Sequence, residues 1–151
     1  MSEENKKAKL RALHILTRMD KTEADLRAGL TRAGFSDEAV QEAIEYVYSY
    51  GYLDDQRYAE KYVRYHKDKK SKRKICYELQ QKGVKSSCID RAFEQCEEIN
   101  ELEVARRYLK KKWTRQEKPT EKELNRLYGS LARQGFSASD IWTVLREENL
   151  T

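Results

Sequence analysis

Apolar residues recur along this chain in three stretches that share one spacing. In each stretch a leucine is followed four residues later by a glycine and then by another apolar residue: Leu30 to Phe35, Leu79 to Val84 and Leu131 to Phe136. Six residues beyond each glycine stands a branched aliphatic residue, and further apolar positions follow it three and four residues on. Such spacings place side chains on one face of an α-helix. The pattern therefore predicts a helix that ends at each glycine and another helix that begins soon after it.

The stretches form an internal repeat, because their glycines, Gly34, Gly83 and Gly135, lie 49 and 52 residues apart. An earlier apolar stripe, which starts at an alanine, also recurs three times and predicts a first helix in each repeat. Each repeat is then a three-helix unit, and the boundaries are 1–53, 54–100 and 101–151. The predicted middle helices lie near 22–33, 71–82 and 120–134, and the third helices near 37–50, 87–98 and 139–148. Repeats of this kind bury their apolar faces partly against neighbours, so we expect an all-α, elongated and curved array.

The residues around each glycine fit helix ends. Glycine adopts the left-handed conformation that commonly terminates a helix, and serine, threonine or aspartate commonly begins the next one. The candidate N-caps are Ser36 or Asp37, Ser86 or Ser87, Ser137 or Ser139, and Asp54 or Asp55. A single proline and six glycines leave little turn chemistry for a β-rich fold.

Composition narrows the function classes. The net charge of +5 is uneven: Lys and Arg against Asp and Glu give −1 for residues 1–53, where 8 face 9, but +3 for 54–100 and for 101–151, where 12 face 9 and 11 face 8. An acidic or nucleic-acid partner would therefore meet the middle and last repeats. The alternative is that lysine-rich helices are merely solvated.

Other residue types favour no catalytic or metal chemistry. Three cysteines without a Cys-x-x-Cys pair, and two histidines away from ligand spacing, make a zinc site unexpected. No phosphate-binding glycine loop and no paired nucleophile and base occur, so neither an enzyme nor a cofactor is expected. No apolar run approaches the length of about 20 residues that crosses a bilayer. We expect a soluble intracellular protein in a reducing cytoplasm.

Two clusters of positive residues are the candidate binding sites. The first, here called the basic run, straddles the predicted turn between the first two helices of the second repeat and comprises Lys67, Lys69, Lys70, Lys72, Arg73 and Lys74. The second, the α-helical cluster, lies on the predicted first helix of the third repeat and comprises Arg106, Arg107, Lys110, Lys111, Lys112 and Arg115. Positions 107, 111 and 115 are expected to share a face. Such clusters attract phosphates or acidic protein surfaces, or else serve only solubility.

Tyrosine is frequent, with ten residues, and helical spacing assigns most of them to buried stripes or their flanks. Tyr65 and Tyr77 lie near the basic run and could instead stack on bases or anchor a protein contact. Trp113 and Trp142 are expected to pack in the core or between repeats.

The junction Gly51–Ala59, which reads Gly-Tyr-Leu-Asp-Asp-Gln-Arg-Tyr-Ala, and the later segment Glu78–Val84 resemble the RecX family of bacterial regulators. The resemblance extends from about Ala8 to Leu150. It implies a cytoplasmic protein of tandem three-helix repeats that binds the RecA recombinase filament on single-stranded DNA. It also implies inhibition of ATP hydrolysis and strand exchange. The chain departs from many relatives, which carry glycine where this chain has Lys69–Lys74.

The expected partners are therefore a RecA filament and, in addition, single- or double-stranded DNA, with no membrane and with the chain as a monomer. The filament is expected to meet a partly basic concave surface. Two other interpretations stay open at this point: a stand-alone DNA-binding protein whose basic clusters contact phosphate, and a general peptide-binding helical scaffold.

Overall fold

The structure, a computed structural model, describes residues 2–151. Within these residues the chain forms nine α-helices and no strand. In chain order they are α1 Glu3–Arg18, α2 Glu23–Arg32, α3 Asp37–Ser49, α4 Asp55–His66, α5 Lys72–Gln81, α6 Ser86–Glu94, α7 Glu101–Lys112, α8 Glu121–Arg133 and α9 Ala138–Glu147. The all-α prediction is confirmed.

Backbone contacts group the chain into two compact units. The first unit runs to Tyr62 and resumes over Glu78–Gln95, and the second unit comprises Val63–Tyr77 and Cys96–Thr151. Helices α4 and α5 therefore contribute to both units. The division into three repeats at 53/54 and 100/101 stays a prediction.

The core of the first unit is built where α1 packs on α3. Ala8 and Ala12 on α1 and Ala43 on α3 are fully buried, and their small side chains let the two helix backbones approach closely. Larger residues, including Leu26 and Ile44, fill the space beside them. The predicted apolar stripes are thus the buried faces.

The second unit repeats this arrangement where α7 packs on α9 and α8. Ala105 of α7 is fully buried, as its spacing predicts, and Leu131 and Ile141 are buried around the third glycine. The same sequence pattern therefore generates the same packing in both units.

The predicted glycine stops are confirmed, since Gly34, Gly83 and Gly135 have φ of 95°, 81° and 90°. Their surroundings differ. A Cβ on Gly34 would meet nothing within 4 Å, whereas a Cβ on Gly83 would overlap the Cβ of Ala24. A Cβ on Gly135 would overlap the Ser71 hydroxyl and lie 2.9 Å from the Cβ of Lys74. Two of the glycines thus serve both as helix stops and as seats for the start of another helix.

Those helix starts are also hydrogen-bonded to the carbonyl that precedes the glycine. Thr22 is fully buried at the N-terminus of α2, and its hydroxyl donates to the Lys82 carbonyl at 2.7 Å. Ser71 is fully buried before α5, and its N–H donates to the Gln134 carbonyl at 3.1 Å. A buried polar group needs such a partner, so each contact fixes a helix start in place.

The cap predictions hold at three helices and fail at one. Ser36 and Ser137 accept hydrogen bonds from the third residue of α3 and α9, and Asp54 accepts from Arg57 N–H at 3.0 Å in α4. The prediction of Ser86 or Ser87 is wrong, because α6 begins one residue earlier, with Lys85 at the N-cap and no side-chain cap.

Helix α6 also ends at Glu94 rather than near residue 98, as the spacing predicted. The residues that would continue it include Glu97 and Glu98, which together with Glu94 place negative charge at the helix C-terminus. That end carries the negative pole of the helix dipole, so continuation is disfavoured. Asn100 then caps α7 by accepting from Glu103 N–H at 3.1 Å.

Candidate nucleic-acid and protein interface

Charge divides unequally between the two compact units. The second unit has 18 Lys and Arg against 11 Asp and Glu, a balance of +7, whereas the first unit has 13 against 15, a balance of −2. Both predicted basic clusters lie entirely in the second unit. A polyanionic partner is therefore attracted to the second unit and not to the first.

The basic run occupies a short, well-bonded turn between α4 and α5. The N–H groups of Lys69 and Lys70 both donate to the His66 carbonyl, at 2.9 and 3.0 Å, and close the turn at the end of α4. Ser71 anchors its other end, because its side chain caps α5 by accepting from Lys74 N–H at 3.1 Å. The turn has a fixed backbone, which limits the ordering cost when its side chains bind a partner.

The side chains of the basic run are only lightly engaged. Lys69 donates to the Tyr65 carbonyl at 2.9 Å, and its ammonium lies 3.7 Å from the centre of the Tyr65 ring. Arg73 is exposed. Among the described residues no carboxylate pairs with Lys67, Lys69, Arg73 or Lys74. The one acidic residue inside the run, Asp68, pairs with Arg107 at 3.7 Å.

The α-helical cluster is different, because most of its cations already have carboxylate partners. Arg106 donates to Glu147 from two nitrogens, at 2.9 and 3.3 Å, and also pairs with Glu103. These hydrogen bonds from Arg106 hold the pKa of Glu147 below its ordinary value. Lys110 lies 3.9 Å from Glu148. The charge of this helix is thus largely balanced inside the second unit.

The expected common face of positions 107, 111 and 115 is not formed in full. Helix α7 ends at Lys112, and Trp113 adopts an extended backbone with φ −122° and ψ 101°. Arg115 therefore lies beyond the helix, where its guanidinium stacks 4.2 Å from the Trp113 ring and pairs with Glu123. Lys111 remains the exposed cation of this helix without a described ion pair.

The tyrosines fall into two groups. Tyr62 and Tyr108 are half-buried, as their spacing predicts, and their hydroxyls pair with Glu78 at 2.7 Å and with Ser130 at 2.5 Å. Tyr65 and Tyr77, beside the basic run, are 64% and 55% exposed. They are available for stacking or protein contact, which stays a prediction.

Sequence reasoning missed a third aromatic group, on the first unit, where Tyr48, Tyr50 and Tyr52 are exposed. A signal for it does exist. Tyrosines occur at every second position from Tyr46 to Tyr52. In a helix that spacing turns successive side chains by about 200°, so they cannot share one buried stripe.

Neither a metal centre nor a membrane span is found in residues 2–151. No group of three or more His, Cys, Asp or Glu side chains there could hold a metal ion. Nor does any helix in that range combine the length and apolar character needed to span a bilayer. The three cysteines are half-buried free thiols.

Sequence comparison assigns the chain. Profiles of the first, second and third three-helix domains of RecX match residues 8–46, 54–92 and 99–145. The chain belongs to the RecX family. The regulatory protein RecX of Clostridium acetobutylicum is 34% identical over 145 residues, which cover 93% of this chain and 68% of that protein. The RecX protein of Vibrio vulnificus is 32% identical over 138 residues, which cover 91% and 90%.

Solved RecX structures share the fold. The crystal structure of RecX from Lactobacillus salivarius matches with a TM-score of 0.72 at 22% identity and covers all of both chains. A second crystal structure, of a regulatory protein RecX, gives a TM-score of 0.73 at 26% identity and covers 95% of this chain and 72% of the other. RecX proteins are regulators and not enzymes, so the surfaces described above are binding surfaces.

The two basic clusters predict different mutant behaviour. We expect Arg106→Gln to lower the melting temperature slightly, because it leaves Glu147 and Glu103 without their partner, and to leave affinity for single-stranded DNA unchanged. Lys111→Gln, on the same helix without an ion pair, is the matched control and should leave melting unchanged. Circular dichroism melts and fluorescence anisotropy with labelled DNA measure both quantities. An affinity decrease in Arg106→Gln as large as that from removing the basic run would contradict this difference.

Proposed function

We propose that this chain binds the RecA filament on single-stranded DNA as a cytoplasmic monomer and inhibits its ATP hydrolysis and strand exchange. The observation that carries the proposal is the basic run of the second unit in a member of the RecX family. The run is anchored at Ser71, carries no internal carboxylate partner at Lys67, Lys69, Arg73 or Lys74, and lies in the unit with a balance of +7. A regulator without catalytic groups acts through binding energy alone.

The physical basis of attraction is electrostatic. Lysine and arginine side chains that contact DNA phosphates release condensed counterions, and the same side chains also pair with carboxylates of an acidic protein surface. The filament offers phosphates and protein side by side. Several modest contacts made at once by one chain multiply their effect, so binding to the filament is expected to exceed binding to either component.

Inhibition follows from differential binding. A ligand shifts a conformational equilibrium only as far as it binds one state more tightly than another. If the chain binds a filament state in which ATP turnover and strand exchange are slow, its binding energy favours that state. This mechanism requires no enzymatic residue in the chain.

A second candidate function is direct DNA binding without the recombinase. The exposure of Arg73 and the aromatic side chains of Tyr65 and Tyr77 beside the basic run favour it. Single-strand binding proteins combine such a basic groove with aromatic residues on which bases stack. The two functions differ in which target is bound first.

The test compares three targets at one salt concentration: RecA filament on single-stranded DNA, the same DNA without protein, and RecA without DNA. We expect the labelled chain to bind the filament at least about tenfold more tightly than bare DNA, because only the filament supplies both sets of contacts. Fluorescence anisotropy measures each affinity. Equal affinity for filament and bare DNA would support the DNA-binding candidate and contradict the proposal.

A further inference from the structure

The first unit carries an aromatic surface that the basic run does not explain. Tyr48, Tyr50 and Tyr52, here called the tyrosine patch, are 40%, 64% and 51% exposed. The ring of Tyr50 stacks on that of Tyr52 with centres 6.1 Å apart and lies 4.9 Å from that of Tyr46. These rings contact one another at the end of α3, while one side of the group faces solvent. Aromatic residues exposed in this way are enriched in protein interfaces.

The backbone holds the patch in a fixed geometry. Tyr50 is the C-cap of α3, and Gly51 reverses the chain with a φ of 72°. The N–H groups of Tyr52 and Leu53 both donate to the Val47 carbonyl, at 2.9 and 3.2 Å, and Leu53 is buried. The buried Leu53 ties the loop to the core and places Tyr52 beside Tyr50. A patch ordered in advance loses little entropy on binding.

The charges near the patch are negative. Helix α3 has four acidic residues and no basic one, and Glu45 lies one helical turn before Tyr48. At the other end, burial first and the carboxylates of Asp55 and Glu23 next raise the pKa of Tyr48 to about 12. A phosphate backbone is repelled by such a surface, whereas a cation is attracted to it.

The molecule already shows how a cation is held there. The ammonium of Lys9 lies 5.2 Å from the centre of the Tyr46 ring, which is a cation–π contact. Arginine and lysine favour aromatic faces, and more so where carboxylates are near. The faces of Tyr50 and Tyr52 that are turned to solvent offer the same contact to a cation from outside.

We propose that the tyrosine patch is a docking surface for an arginine- or lysine-bearing segment of a protein partner. The inference rests on the proposed function, in which that partner is the recombinase protein. It assigns the two units different targets: the second unit meets phosphate or acidic groups through the basic run, and the first unit meets a cationic protein segment through the patch.

The test replaces both outer rings, in Tyr50→Ala/Tyr52→Ala. Binding to RecA filaments should weaken about tenfold or more, the effect typical of removing aromatic anchors from interfaces, while binding to bare single-stranded DNA stays unchanged. Tyr50→Phe/Tyr52→Phe keeps the rings and should bind as wild type does. Tyr77→Ala, an equally exposed tyrosine of the second unit, is the matched control and should not weaken binding to DNA-free RecA. Glu45→Lys reverses one charge without touching a tyrosine and should also weaken filament binding.

The outcomes separate the inference from the proposed function. A wild-type chain that does not bind RecA in any form overturns the proposed function. A wild type that binds RecA while a folded double alanine variant binds equally well overturns the docking surface alone. Loss of bare-DNA binding in that variant would make the patch a base-stacking surface and overturn the inference. Titration with an oligo-arginine peptide gives a reading independent of RecA: the Tyr50 and Tyr52 ring resonances should shift, and resonances that stay fixed would contradict the patch.

Discussion

Replacing Lys69, Lys70, Lys72, Arg73 and Lys74 with glutamine is expected to weaken binding to the RecA filament more than any other surface change. Each phosphate interaction that the variant cannot make lowers the slope of log affinity against log salt by about 0.7 to 0.9, so its binding should also respond less to salt. Exposed charges usually contribute less than about 0.5 kcal/mol to stability, so helicity and melting should remain close to wild type. Fluorescence anisotropy over a salt series measures the affinity and the slope together.

The control for this variant changes Lys110, Lys111 and Lys112 of the α-helical cluster to glutamine. Its effect on affinity should be smaller, because Lys110 lies beside Glu148 and the neighbouring Arg106 is held by Glu147. A five-glutamine variant that folds and suppresses the RecA ATPase as well as wild type would assign the basic run to solubility. The α-helical cluster would then become the better candidate.

Gly135→Ala is expected to lower the free energy of unfolding far more than Gly34→Ala, although both glycines have nearly the same φ. The left-handed conformation costs a residue with a Cβ about 1–2 kcal/mol, and both variants incur this cost. At Gly135 the added methyl group also meets Ser71 and Lys74, and such overpacking costs about 1–3 kcal/mol more. Gly83→Ala should resemble Gly135→Ala, because its methyl group meets Ala24. Urea denaturation followed by circular dichroism measures all three.

Equal destabilisation at Gly34 and Gly135 would show that the start of α5 moves aside easily. In that case the close approach of Ser71 would not be a structural requirement. Larger destabilisation at Gly83 and Gly135 than at Gly34 would instead establish that these two glycines are seats for helix starts as well as helix stops.

Local pattern was sufficient to predict the helices. A leucine four residues before a glycine, followed by a serine and an apolar residue at helical spacing, contains its own start and stop signals, as at Gly34 and Ser36. The glycine contacts were not predictable in this way. Thr22 and Lys82 are 60 residues apart, and nothing local to either indicates that the hydroxyl of one donates to the carbonyl of the other. The start of α6 was predicted wrongly because Lys85 begins it without a side-chain cap.

The candidate sites show the same division. Counting charges located both basic clusters, but a count does not reveal pairing. Arg106 is neutralised by Glu147, which lies 41 residues further along the chain. The tyrosine patch depends on the reversal at Gly51, which returns Tyr52 to the side of Tyr50. Composition can therefore find a charged segment, whereas tertiary packing decides which of its charges remain available.

The most direct measurement is the rate of ATP hydrolysis by RecA on single-stranded DNA as the wild-type chain is titrated, with binding to the same bare DNA followed in parallel. The proposed function predicts that hydrolysis falls at chain concentrations where bare DNA is still unbound. Hydrolysis that falls only as bare DNA becomes saturated, or that does not fall at all, would contradict it.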